Sequence, residues 1–170
     1  MPAVSRRVER IRVTLECLSY VTVIAGIFLF FVQQREVENA RRVETALLFV
    51  SLENDEAYTR ARETLTAPWQ RVDMSRIMAA RPSRDTIHRL KLEVTRDVPD
   101  ASIENVYEFY SSVVGCRDHG LCDRTIIDQF FRRGVSGFYC TYDVRLAQIG
   151  RRLNRPDYGR DLQSYAGSCT

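Results

Sequence analysis

Two hydrophobic patterns follow one another along this chain, and the change between them sets its organisation. Residues 17–34 read CLSYVTVIAGIFLFFVQQ, eighteen mostly apolar positions without a charge. That is about the shortest run with which a helix crosses the hydrocarbon core of a bilayer. In hydrocarbon the backbone must satisfy its own hydrogen bonds, so the run is expected to be helical. After Gln34 the apolar residues thin to a stripe. Val37, Ala40, Val43, Leu47 and Val50 recur at three- and four-residue steps, with Glu36, Glu38, Arg41, Arg42 and Glu44 on the other face. Neither glycine nor proline stands between Gly26 and Pro68. The pattern therefore predicts one long helix that leaves the span and feeds the next domain rigidly.

Further helices follow. Asn54 or Asp55 is expected to cap a second helix with the stripe Ala57, Tyr58, Ala61 and Leu65, ended by Pro68. A short helix is expected over residues 72–80. Asp85 is expected to cap another, in which Ile87, Leu90 and Val94 align. Ser102 caps the best-patterned helix, with Ile103, Val106, Tyr107, Tyr110, Val113 and Val114 on its core face and Gly115 at its C-terminus. After the polar loop CRDHGLCD, Asp123 caps a helix carrying Ile126, Ile127, Phe130 and Phe131. A separate last helix covers residues 136–154, with Phe138, Tyr142, Leu146, Ile149 and Leu153 on one side and Pro156 beyond it. Tyr158, Leu162 and Tyr165 predict a final turn or two packing back. Only residues 91–95, KLEVT, compete as a strand. The fold class is all-α, one transmembrane helix continuing into a small helical bundle. The segments are a basic 1–13, a transmembrane helix 14–34 and an extramembrane helical domain 35–170.

A cleaved signal peptide and a buried core helix compete with a permanent span for residues 17–34. Arg6, Arg7, Arg10 and Arg12 supply a basic flank, but residues 28–34 offer no small-x-small cleavage site. Residues 28–32 are apolar all round, with no polar face for a core helix to show to water. The permanent span is adopted. Tyr20 at one end and Gln33, Gln34 and Arg35 at the other suit the interface. Glu16, one turn from Arg12, reads as a solvated or paired end residue, and Cys17 as inert packing. Gly26 beside Ala25 allows close approach of a neighbouring helix. Four arginines before the span against Arg35, Arg41 and Arg42 after it leave orientation undecided.

The net charge of +3 is too small to argue for nucleic acid, and Lys91 is the only lysine among 25 basic residues. Cys116 and Cys122 flank RDHGL, with Cys140 and Cys169 further on. A zinc set of Cys116, His119, Cys122 and Cys140 has a first spacing wider than structural sites use. Two disulfides, Cys116–Cys122 and Cys140–Cys169, require an oxidising compartment. Free thiols at helix ends are the reading adopted. His88 reads as a surface residue. Glu53, Asp55 and Glu56 gather at a helix start, where the dipole favours them. No nucleophile–base arrangement or phosphate loop appears, so no catalytic, cofactor-binding or metal residue is assigned and no enzyme is expected. Phe109 and Tyr139 fall off the main stripes and could form a contact surface, although core is the expected place for each.

The anchor LECLSYVTVIAGIFLFFVQQREVENARR, with ENVYEFYSSVV and LCDRTIIDQFF after it, resembles a group of uncharacterised bacterial single-pass membrane proteins. The resemblance implies a bacterial inner-membrane location and a domain on the cytoplasmic side, and carries no activity. The Arg-rich N-terminus and the Cys116–Cys122 loop depart from that pattern. The chain is expected to be a non-enzymatic accessory subunit in the lipid bilayer. It would dock on other integral-membrane subunits, of a respiratory or photosynthetic complex for example. A membrane-anchored sensor or regulator is the alternative.

Overall fold

The computed structural model describes the backbone of residues 3–169 and the side chains of residue 18, residues 20–77 and residues 79–169. The expectations for segment 1–13, for Arg6, Arg7, Arg10 and Arg12, and for Glu16 and Cys17 concern side chains outside the described residues. Every described element is helical: α1 Ala3–Leu52, α2 Glu56–Thr66, a 3₁₀ turn Trp69–Arg71, α3 Met74–Ala79, α4 Arg84–Val94, α5 Asp100–Asp118, α6 Arg124–Arg152 and α7 Arg160–Ala166. The chain divides into two compact units, Met1–Arg41 and Arg42–Thr170.

The first unit is helix alone. Its described apolar side chains are exposed, Phe28 at 67% and Ile24 at 67% among them. Thr22 donates its hydroxyl to the Leu18 carbonyl at 2.8 Å, so its polar group is satisfied within the helix. By length and composition the segment Tyr20–Leu52 contains a stretch able to cross a membrane.

The second unit is a helical bundle built on α5 and α6. Ile103, Val106, Val113 and Val114 of α5 are buried with Ile127, Phe131, Val135, Leu146 and Ile149 of α6 in one core. Each such side chain contributes roughly 1.5–3 kcal/mol when withdrawn from water. Helix α2 packs on α5, α4 on α6, and α7 on both α5 and α6. From the end of α1, Ala46 is buried and Phe49 and Val50 pack against the core, whereas Leu47 is 49% exposed. The stripe that meets the core thus runs through Ala46, Phe49 and Val50, not through Leu47 as the spacing predicts. Asp123 N–H donates to the Arg42 carbonyl at 3.1 Å, which fastens the same stretch to the start of α6.

Several boundaries differ from the expected ones. Asp55 caps α2 through Ala57 N–H at 2.9 Å, and Asp123 caps α6 through Ile126 N–H at 3.0 Å, both as expected. Helix α4 is capped by Ser83, which accepts from Thr86 N–H, and Asp85 lies inside its first turn. KLEVT is helical. Helix α5 starts at Asp100, ahead of Ser102, with its carboxylate at the positive end of the helix dipole. It also runs past Gly115 to Asp118, and Gly120 takes the left-handed backbone with φ +68°. Leu121 and Cys122 N–H both donate to the Cys116 carbonyl there, closing the turn that the disulfide spans. The largest difference is α6, one helix where two are expected, with Gly134 and Gly137 in its interior.

Ion pairs clamp both ends of the α5–α6 pair. Arg145 meets Asp100 at 2.6 Å, and Arg152 bridges Asp100 and Glu104. At the other end Arg117 meets Asp128 at 2.8 Å, and Tyr165 of α7 donates to the same carboxylate at 2.7 Å. Burial alone would push the Asp128 carboxyl up, but the Arg117 and Tyr165 hydrogen bonds hold it below its ordinary value. Lys91 pairs with Asp143 at 2.8 Å and joins α4 to α6.

Cys116–Cys122 and Cys140–Cys169 are both disulfides, each with Cα atoms 5.3 Å apart. The free-thiol reading is thereby corrected: the hairpin turn and the returning C-terminal segment bring the sulfurs together, which spacing alone does not reveal. By loop-closure entropy the 29-residue separation of the second pair is worth roughly 3–4 kcal/mol and the six-residue separation of the first about 2 kcal/mol. Replacing Cys140 and Cys169 together by alanine should therefore destabilise the protein more than replacing Cys116 and Cys122. Urea unfolding monitored by circular dichroism measures the difference, which should vanish in strong reductant. A depressed carboxyl contributes stability above its unfolded pKa of about 4 and loses it as pH falls through the folded value. Asp128→Asn should accordingly lower the melting temperature at pH 7 and cease to do so at strongly acidic pH.

Candidate functional site

An aromatic cavity of about 540 Å³ opens on the second unit where α2, α5 and α6 approach. Helix periodicity assembles it. Tyr58 and Leu65 stand two turns apart on α2, Val106 and Tyr110 come from one face of α5, and Phe130, Gly134, Gly137, Phe138 and Thr141 from α6. Trp69, in the 3₁₀ turn that follows Pro68, closes one side.

The deeper polar groups on that side are satisfied. Trp69 Nε1–H donates to the Tyr142 hydroxyl at 3.3 Å, which donates to the Leu65 carbonyl at 2.6 Å. Tyr58 is different. It is 8% exposed, and its hydroxyl is buried without a hydrogen-bond partner. Burial pushes its pKa far above the ordinary tyrosine value, and the neighbouring Tyr110 and Glu53 add to the effect, so it remains a neutral donor. Burial raises Tyr110 in the same way.

Two glycines of α6 have opposite surroundings. A Cβ at Gly134 would stand 2.7 Å from the Tyr110 hydroxyl, so that ring reaches α6 only because the position has no side chain. A Cβ at Gly137 would meet nothing within 4 Å. Gly137 lines the cavity as an empty notch.

Three charged groups also line the cavity. Arg62 lies 3.4 Å from Glu53, which largely offsets both charges. Arg133 is exposed and makes no ion pair among the described residues. The cavity therefore combines apolar walls, one unsatisfied donor and one net positive charge.

Among the residues singled out from sequence, the structure brings together Tyr58, Tyr110, Phe130, Phe138 and Tyr142 here. Phe109 packs against the core, as expected for most of these aromatics. Its ring, partly buried, has its centroid 4.4 Å from that of Tyr58 and 5.9 Å from that of Phe131. Tyr139 also packs against the core. The exposed aromatic is Phe130, at 49%, which the stripe had placed inside. Reading α6 as one helix would have found it, since Phe131, Val135, Phe138 and Tyr142 then define the buried side. His88 and His119 are exposed. With all four sulfurs in disulfides, no thiolate remains for the zinc set, and no cluster able to hold a metal occurs among the described residues.

Comparison of the chain with known protein families, with curated proteins and with solved structures gives no match.

Tyr58→Phe should leave stability unchanged or raise it by about 1 kcal/mol, because it removes a buried group that has no partner. Gly137→Ala should stabilise by about 0.5–1 kcal/mol through helix propensity. Gly134→Ala should destabilise, since overpacking against a hemmed-in ring costs roughly 1–3 kcal/mol. Urea midpoints of the three variants check all three signs.

Proposed function

We propose that this chain is a non-enzymatic, membrane-anchored interaction protein, an accessory subunit that docks on a larger integral-membrane assembly. The observation that carries the reading is the helix through residues 18–32, whose described apolar side chains are exposed, from Leu18 at 64% to Phe31 at 60%. So large an apolar surface needs lipid or protein to cover it. A cleaved signal sequence would present a similar helix, and the absence of a small-residue exit after Phe28 argues against that alternative. Leu48, 57% exposed, and Leu52, 41% exposed, continue apolar character into the second unit, where a docking partner would meet them.

The disulfides bear on sidedness. Two such bonds persist in oxidising compartments and are rare in the cytosol. They favour a helical domain outside the cytoplasm, opposite to the side implied by the resemblance to bacterial single-pass proteins. The N-terminal Arg6, Arg7, Arg10 and Arg12 would then lie inside, in keeping with the positive-inside rule. A sensor or regulator on the same anchor is the second reading, and the aromatic cavity is what favours it.

Mild detergent extraction followed by native-gel mass measurement should recover the intact 19.7 kDa chain in a larger complex. A lone monomer, or a mature chain lacking its first thirty-odd residues, would remove the anchored-subunit reading. In intact cells a membrane-impermeant maleimide should label the protein only after treatment with an impermeant reductant. Labelling without reduction would overturn the disulfides, and labelling only after lysis would place the domain on the cytoplasmic side.

A further inference from the structure

We propose that the cavity formed by α2, α5 and α6 binds an amphipathic anion, a linear apolar chain bearing a carboxylate or phosphate head. Its size, about 540 Å³, falls within the range of small-molecule sites. Leu65, Val106, Phe130 and Phe138 supply apolar walls, and the notch at Gly137 leaves room for a flexible chain along α6.

The polar groups select the head. Arg133 has no ion-pair partner among the described residues, whereas Arg62 and Glu53 satisfy each other at 3.4 Å. One positive charge therefore remains for a ligand. The Tyr58 hydroxyl is buried behind the wall beside that of Tyr110, so Arg133 is the group left to meet a charged head. A cationic amphiphile would meet Arg133 unfavourably, and a neutral alcohol would leave its charge unused. Phe130, half-exposed at the same rim, would cover the chain on binding. The site belongs to the helical domain and holds for an accessory subunit and a sensor alike.

Trp69 is the only tryptophan in the chain and lines the cavity, so its fluorescence reports the site directly. The full-length protein in non-ionic detergent is titrated with dodecanoate and dodecyl phosphate, and with dodecanol and dodecyltrimethylammonium as controls that enter micelles equally well. At least one anion should give a saturable change in Trp69 emission, and the controls should not. Saturation by one anion alone identifies the head group; saturation by both identifies a general anion site. Arg133→Gln should weaken binding by about tenfold, as expected for losing one charge-assisted contact. Gly137→Leu fills the notch without meeting any neighbour at its Cβ and should abolish saturation while the melting temperature stays at or above that of the parent. Four equal responses, no response to either anion, or undiminished binding in Gly137→Leu would each overturn the proposal.

Discussion

Ile103, Val106, Val113 and Val114 of α5 lie against Ile127, Phe131 and Val135 of α6, and the position of every other helix in the bundle follows from what this seam leaves uncovered. Helix α2 lays Tyr58, Ala61 and Leu65 over one side, and α7 closes another with Leu162. The seam depends on a close approach. The Tyr110 hydroxyl stands 2.7 Å from where a Cβ of residue 134 would be, too close for a side chain there, so a glycine that weakens the helix locally improves the packing between helices. The same geometry leaves space one turn further on, at Gly137, and the aromatic cavity is the result.

Polar contacts hold the seam in register at its two ends. Asp100 gathers Arg145 and Arg152 at one, and Asp128 gathers Arg117 and Tyr165 at the other. Partly exposed pairs of this kind contribute modestly to stability. Shared carboxylates nevertheless tie three helices to one another, and Tyr165 links α7 to the pair that its own Cys169 anchors covalently through Cys140. The disulfides act mainly on the unfolded chain, by shortening the loops it can open. A domain with one small core gains most from such constraint if it stands in an oxidising compartment. That is the physical link between the bundle and its proposed side of the membrane.

Much of this bundle is readable from spacing. The caps at Asp55 and Asp123, the stripes of α2 and α5, and the continuation of α1 past Gln34 all follow local rules, since caps and helical faces depend on residues within a turn or two. Where helices break is less readable. Gly115 reads as a helix end yet sits inside α5, and α6 runs unbroken through Gly134 and Gly137, where tertiary packing outweighs propensity. Splitting α6 hides that Phe131, Val135, Phe138 and Tyr142 share its buried side, which leaves Phe130 exposed. The cavity was illegible because it is made by three helices, and none of them carries its shape alone.

Local chemistry by itself determined the all-helical class, the long uncharged apolar segment and most of the core residues, because hydrogen bonding along a helix and the burial of one face are short-range demands. Only the folded chain decided which sulfurs meet, which glycine admits Tyr110, and which tyrosine hydroxyl is left without a partner. Those outcomes depend on residues brought together from dozens of positions apart, as Cys140 and Cys169 are. No periodicity encodes them, because they arise from how the helices cross and not from how each is written.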